Sequence, residues 1–201
     1  MICLFLRKEL FEQVPRDLVK FRESEGMELL ECDSMMCRNV GAGLYPKELA
    51  FIDKGGNRKL RSGVLYVPCD SCFPVLDGFF VVKGEPRNVV ALQATIAKQH
   101  HTTVSKVVLL KKGLAKCFCD WNIFTDGLRW EMIYVQPAGG NVIKTKQLWR
   151  NAEATEEAVL TFWKSVEQYQ VSLKPASYSG QRAAAHVTEL TKIFGEVEIE
   201  K

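Results

Sequence analysis

The stretch from Pro74 to His101, PVLDGFFVVKGEPRNVVALQATIAKQHH, sets one carboxylate and two neutral polar side chains among apolar neighbours. Asp77 heads one apolar run, and Gln93 and Thr95 sit in the next. A buried acid or amide costs stability unless something satisfies it. Residues two apart on a strand share a face, so Gln93 and Thr95 face the same way and can meet Asp77 across a hairpin. Carboxylate and carbonyl oxygens are the ligands that hard cations such as Mg²⁺ take. Oxygens placed in this way could hold such a cation between them. Lys98 and His100 follow Thr95 closely. They offer a cation and an imidazole near the start of the next helix, where a neutral imidazole can act on an anionic substrate. The same residues also have plain structural readings. Leu-Asp-Gly is a strand-entry turn in which Asp caps local amides. Gln93 can bridge backbone groups, and Thr95 favours strands in its own right.

The elements that must position these side chains are legible as patterns. GVLYVP, GFFVVK and NVVALQAT read as strands, the last two joined by a hairpin connection at Gly84 to Arg87. Both hairpin strands are nearly continuous apolar runs, which predicts burial on both faces under covering helices. TTVSKVVLLKKGLAKCFCDW reads as a helix with Thr102 or Thr103 as N-cap and an apolar stripe of Val107, Leu110, Leu114, Phe118 and Trp121. LRWEMIYVQP is a fourth strand, TEEAVLTFWKSV a helix capped at Thr155, EQYQVSL a further strand, and a last helix runs near Arg182 to Phe194. The expected fold is α/β, a mixed central sheet flanked by helices. Residues 1–52 read as a helical segment, the tail of an upstream region. Residues 53–63 read as a basic linker, and residues 64–201 as the domain proper.

Charge is distributed unevenly. The net charge of the 201 residues is only +3, yet no acid occurs between Glu85 and Asp120. That interval holds Arg87, Lys98, Lys106, Lys111, Lys112 and Lys116, with His100 and His101. Arg58, Lys59 and Arg61 form a second basic group. A one-signed field of this kind suits a polyanion followed along its phosphates, so Lys98, Lys106, Lys111, Lys112 and Lys116 are the expected nucleic-acid contacts. A charge run is also the ordinary dress of a solvated helix face.

Other features carry less. The seven cysteines form an odd set without a secretory leader, which favours reduced thiols. Cys69 and Cys72 have zinc half-site spacing, but Cys117 and Cys119 do not complete it. No apolar run reaches the roughly 20 residues of a membrane helix. Glu131 and the tryptophans Trp121, Trp130, Trp149 and Trp163 read as structural.

The order helix, three-stranded meander, helix, strand, with Asp77 on the second strand of that meander, resembles the PD-(D/E)xK nuclease superfamily. By that resemblance Asp77 matches the first acid, Gln93 the second and Thr95 the lysine. Gln93 keeps an oxygen but no charge, and Thr95 brings no cation. Four pieces in order, VLYVPCDSCFPVLDGFFVV, LQATIAKQHHTT, LRWEMIYVQ and FWKSVEQYQVSL, resemble the C-terminal region of the retrotransposon hot spot proteins of trypanosomes. The Leu-Gln-x-Thr motif with its Lys and His is similar to the C-terminal domains of Crinkler-type effectors. The resemblance spans roughly residues 64–173. It implies a restriction-endonuclease-like core, a nuclear protein associated with chromatin and transcription proteins, and a weak Mg²⁺ site at Asp77 and Gln93. Members of the family usually carry an upstream P-loop domain. No GxxxxGK[ST] occurs here, so the chain reads as a C-terminal portion or truncated copy. Three functions follow as expectations: a DNA- or RNA-binding domain with a nuclease-like fold and a departed site, an active metal-dependent nuclease, or an interaction module of a larger nuclear ATPase.

Overall fold

A computed structural model describes residues 14, 18–21, 45–53, 55, 57–69, 73, 75–82, 87–98, 102–121, 127–139, 143, 145–148 and 157–173. Its elements are β1 (Val19–Lys20), β2 (Glu48–Ile52), β3 (Val64–Pro68), β4 (Gly78–Val82), β5 (Asn88–Ala94), α1 (Val104–Cys117), β6 (Arg129–Pro137), α2 (Glu157–Ser165) and β7 (Glu167–Leu173). The strands make one mixed sheet in the order β1-β7-β6-β5-β4-β3-β2.

The middle of that sheet follows from the residue pattern. β4 and β5 pair antiparallel from Gly78↔Leu92 to Val82↔Asn88. β5, β6 and β7 run parallel to one another, with α1 and α2 between them in the chain. Parallel neighbours need such a crossover, and a sheet covered on both faces wants apolar residues at odd and even positions alike. Tyr66, Phe79, Ala91, Met132 and Tyr134 therefore pack on one face with Val107, Leu110 and Leu114 of α1 and Trp163 of α2. Leu65, Phe80, Val90, Leu92, Ile133, Val135, Tyr169 and Val171 line the other face, with Val14 and Leu18. The expected α/β class with a mixed sheet and helices is the architecture observed.

Three expectations are corrected. Glu48–Ile52, placed in the helical segment, is a strand parallel to β3 from Glu48↔Val64 to Ile52↔Pro68. β1, earlier in the same segment, pairs with β7. Residues 53–63 connect two neighbouring parallel strands instead of linking two regions, and Leu60 within them is buried. Finally, α1 starts on its Thr103 cap, whose Oγ1 accepts the Lys106 N–H, but it stops at Cys117. Phe118 is already extended, because the Cys117 carbonyl accepts the Arg58 N–H and the Cys119 N–H binds the Arg58 carbonyl. Phe118 and Trp121 stay in the core beyond the helix. The Gly84 to Arg87 turn, the Thr155 cap and the Arg182 to Phe194 helix fall wholly or largely outside the described residues.

Candidate functional site

The carboxyl ends of β5 and β6 gather the sequence's polar candidates. Continuing the β4–β5 register by one residue sets Asp77 opposite Gln93. The pairing there is irregular: the Asp77 N–H donates to the Leu92 carbonyl at 2.9 Å, and Asp77 Oδ2 accepts the Ala94 N–H at 2.7 Å. The carboxylate thus stands where a further strand carbonyl would stand, capping the end of the ladder, while the residue itself is exposed. Gln93 is buried on the face of Val89 and Ala91, by the alternation of the strand. Thr95 is buried at the margin, its N–H on the Val135 carbonyl and its Oγ1 accepting the Ala97 N–H at 3.1 Å. Lys98 is exposed one residue beyond that turn. His100 lies outside the described residues.

Among the described residues this donor set is sparse for a resident Mg²⁺. It holds one carboxylate with an oxygen already on a main-chain N–H, one hydroxyl turned to Ala97, and one buried amide. Mg²⁺ wants at least one or two carboxylates in near-octahedral reach, with substrate phosphates to complete the shell. Among the described residues, no three His, Cys, Asp or Glu side chains converge as a metal group.

Gln93 also has company that sequence reasoning missed. Among the described residues, five glutamines are buried: Gln93, Gln136, Gln147, Gln168 and Gln170. Gln136 Nε2 donates to the Ala97 carbonyl at 3.1 Å, tying the turn after β5 to β6. Gln170 Oε1 accepts the Ile143 N–H at 3.0 Å. Gln168 accepts from the Gln147 N–H and donates to its carbonyl, so a side-chain amide copies a strand's hydrogen-bonding edge. The signal available in sequence was the glutamine itself, repeated at positions 136, 168 and 170 in two strands.

The basic residues sort by geometry. Lys106, Lys112 and Lys116 are exposed on α1, and with Leu109, 55% exposed, they recur every three or four residues. That spacing draws one stripe along the helix. Lys111 points elsewhere: its Nζ lies 5.2 Å from the centroid of the Phe162 ring on α2, in cation–π range. The helix carries no acid, in its first turn or beyond. Arg58 and Lys59, which the sequence left in a separate group, are exposed beside its last turn through the main-chain bridge of Arg58 to Cys117 and Cys119. Arg61 is turned to Glu48 in an exposed ion pair. Asp120, which ends the acid-free interval, accepts the Leu60 N–H with both carboxylate oxygens, at 3.0 and 3.2 Å.

The aromatic residues read as core. Tyr66, Phe79, Phe118, Trp121, Trp130 and Phe162 form an unbroken chain of ring contacts from β3 to α2, with centroids 5.0–6.3 Å apart. Trp163 donates its Nε1–H to the Gln147 carbonyl. The first five of that chain and Trp163 are buried, so they offer no open face for stacking a base. Trp149 is outside the described residues. Among the described residues, no helix is long and apolar enough to cross a membrane.

No protein-family model, curated protein or solved structure matches this chain.

Proposed function

We propose that this chain is a DNA- or RNA-binding α/β domain with a restriction-endonuclease-like core whose metal site has departed from the catalytic pattern. One observation carries the reading. α1 presents an acid-free, exposed row of Lys106, Lys112 and Lys116 to solvent, with Arg58 and Lys59 beside its end. Such a row attracts a phosphate backbone and releases its counterions, which is the main source of affinity without sequence preference. The order of an antiparallel meander β3-β4-β5, then α1, then β6 parallel to β5 supports the nuclease-like core. Asp77 opposite Gln93, with Thr95 after it, supports the departed site. The resemblance to the C-terminal region of retrotransposon hot spot proteins extends the proposal to a nuclear, chromatin-associated setting.

In this reading the protein's own groups hold the nucleic acid and do not cut it. A single exposed carboxylate already accepting a hydrogen bond lacks the second charge that would fix a metal against the scissile phosphate. The experiment is direct. Purified protein and its Asp77→Ala variant are incubated with single- and double-stranded DNA and RNA, with Mg²⁺ or Mn²⁺, and both binding and cleavage are read. Binding by both proteins without cleavage is the expected outcome. Cleavage abolished in Asp77→Ala would make the protein an active nuclease and overturn the proposal. An absence of binding would leave the basic face to an acidic protein partner.

A further inference from the structure

We infer that the nucleic acid lies lengthwise along α1, following the stripe Lys106–Leu109–Lys112–Lys116 and ending on Arg58 and Lys59, with Lys111 outside the contact. This rests on the proposed nucleic-acid binding and assigns its path, its length and two residues that sequence grouped elsewhere.

The path follows from what neutralises what. Of the exposed cations near α1, Lys111 is drawn over Phe162, and in the following loop Arg61 is paired with Glu48. Of the acids near that end of the helix, Glu48 is paired with Arg61, and Asp120 is turned to the Leu60 main chain but keeps its charge. Asp53, whose carbonyl accepts the Cys117 thiol, is exposed. The three basic residues Lys116, Arg58 and Lys59 outnumber the two unpaired acids there. The remaining positive groups, Lys106, Lys112 and Lys116, are exposed along α1, with Arg58 and Lys59 exposed past its end. A helix C-terminus carries about half a negative charge, which Lys116 alone would offset. That term explains neither Lys112 in the middle of the helix nor Arg58 and Lys59 past its end. At the other end the helix dipole is positive, the first turn has no acid, and Lys106 adds to it. The charged side chains of the helix are therefore of one sign from end to end.

Leu109 fits the same path. It is exposed in the middle of the stripe, between lysines. Lying against sugars and base edges it loses little, whereas a compact anion bound at one end would never reach it.

The length follows from helix geometry. Fourteen residues at about 1.5 Å each give a track of roughly 21 Å. Nucleic acid advances about 3.4 Å per nucleotide along each strand, so roughly six base pairs or nucleotides cover the track. Affinity should rise with length up to about that size plus the Arg58–Lys59 end. Beyond it, affinity should grow only through the number of available positions.

The test is fluorescence anisotropy on the full chain, using labelled single-stranded DNA of roughly three to twenty nucleotides and hairpin-closed duplexes long enough to stay paired, at salt from about 50 to 200 mM. The variants are Arg58→Ala/Lys59→Ala, Lys112→Ala/Lys116→Ala and Lys111→Ala, with circular dichroism confirming that each is folded. Each double variant should lower the salt slope by roughly 1.4–1.8 on long oligonucleotides, at about 0.7–0.9 per phosphate contact. Lys111→Ala should leave the slope unchanged. Arg58→Ala/Lys59→Ala should also bring the length plateau earlier and spare the shortest oligonucleotides. If the unmodified chain binds and Arg58→Ala/Lys59→Ala binds identically, or if Lys111→Ala weakens binding as much as a double variant, the path is wrong while the binding function stands. If the unmodified chain binds no oligonucleotide at any length, the function itself fails.

Discussion

Asp120 separates two effects that usually travel together, the charge of a residue and the structure it holds. Its carboxylate accepts the Leu60 N–H with both oxygens, and Leu60 is buried. Asp120→Ala leaves that N–H without its acceptor. A hydrogen bond to a charged group contributes about 1.5–3 kcal/mol, less where solvent reaches it. Asp120 is half-buried, so we take about 1–2 kcal/mol. For a chain of this size that is roughly 2–8 °C in Tm. Asp120→Asn keeps an oxygen acceptor and should cost less than half as much. Binding should divide the two variants in the opposite sense. Each removes one negative charge near the proposed track, and at a distance near the Debye length that alone tightens binding by about twofold. Asp120→Asn should show that gain. Asp120→Ala should lose it, because the 57–61 loop that carries Arg58 and Lys59 loses one of its anchors and keeps the Arg58 main-chain bridge, and its salt slope should fall by up to about 1. Urea melts followed by tryptophan fluorescence, together with anisotropy against one duplex, give both numbers. Equal stability of Asp120→Ala and the unmodified chain, with binding tightened as in Asp120→Asn, would refute the anchoring role.

Two further outcomes follow from packing and from burial of a phenol. A Cβ on Gly113 would lie 3.1 Å from a ring carbon of the buried Phe73. Gly113→Val should therefore destabilise by about 1–3 kcal/mol in a urea melt despite replacing a helical glycine, since overpacking and the branched side chain oppose the gain in propensity. Burial raises the Tyr134 hydroxyl well above its ordinary 10.0, favouring the neutral form in the fold. The associated stability is present below about pH 10 and is lost as pH rises above it, because the unfolded chain gives up that proton first. In alkaline melts, Tyr134→Phe should flatten that loss.

The strands and the first helix were legible because their apolar runs and cap residues obey local rules. GFFVV is apolar throughout, and a run with no polar side must be covered on both faces; β4 is accordingly buried along its whole length. EQYQVSL likewise gave β7 to the residue. What local rules could not supply is pairing at a distance. β2 reads poorly because ELAFI is half-exposed at the margin of the sheet, and only its partner Val64–Pro68 makes it a strand. The α1 pattern continues through Phe118 and Trp121, so its end at Cys117 depends on a main-chain bridge to Arg58, far earlier in the chain. That bridge also unites two basic groups which look separate in the chain. At the candidate site, the types and register of Asp77, Gln93 and Thr95 were readable. Their hydrogen bonds to Ala94 and Ala97 were not, and those bonds bear on whether a metal can be held.

Whether this domain holds nucleic acid through the backbone is tested most directly by the salt dependence of binding by the unmodified chain. Affinity for unrelated DNA sequences should be the same within a few fold. Its logarithm should fall linearly with the logarithm of salt, with a slope corresponding to about four to six phosphate contacts. Binding that is insensitive to salt, or no binding at low salt, would contradict the account.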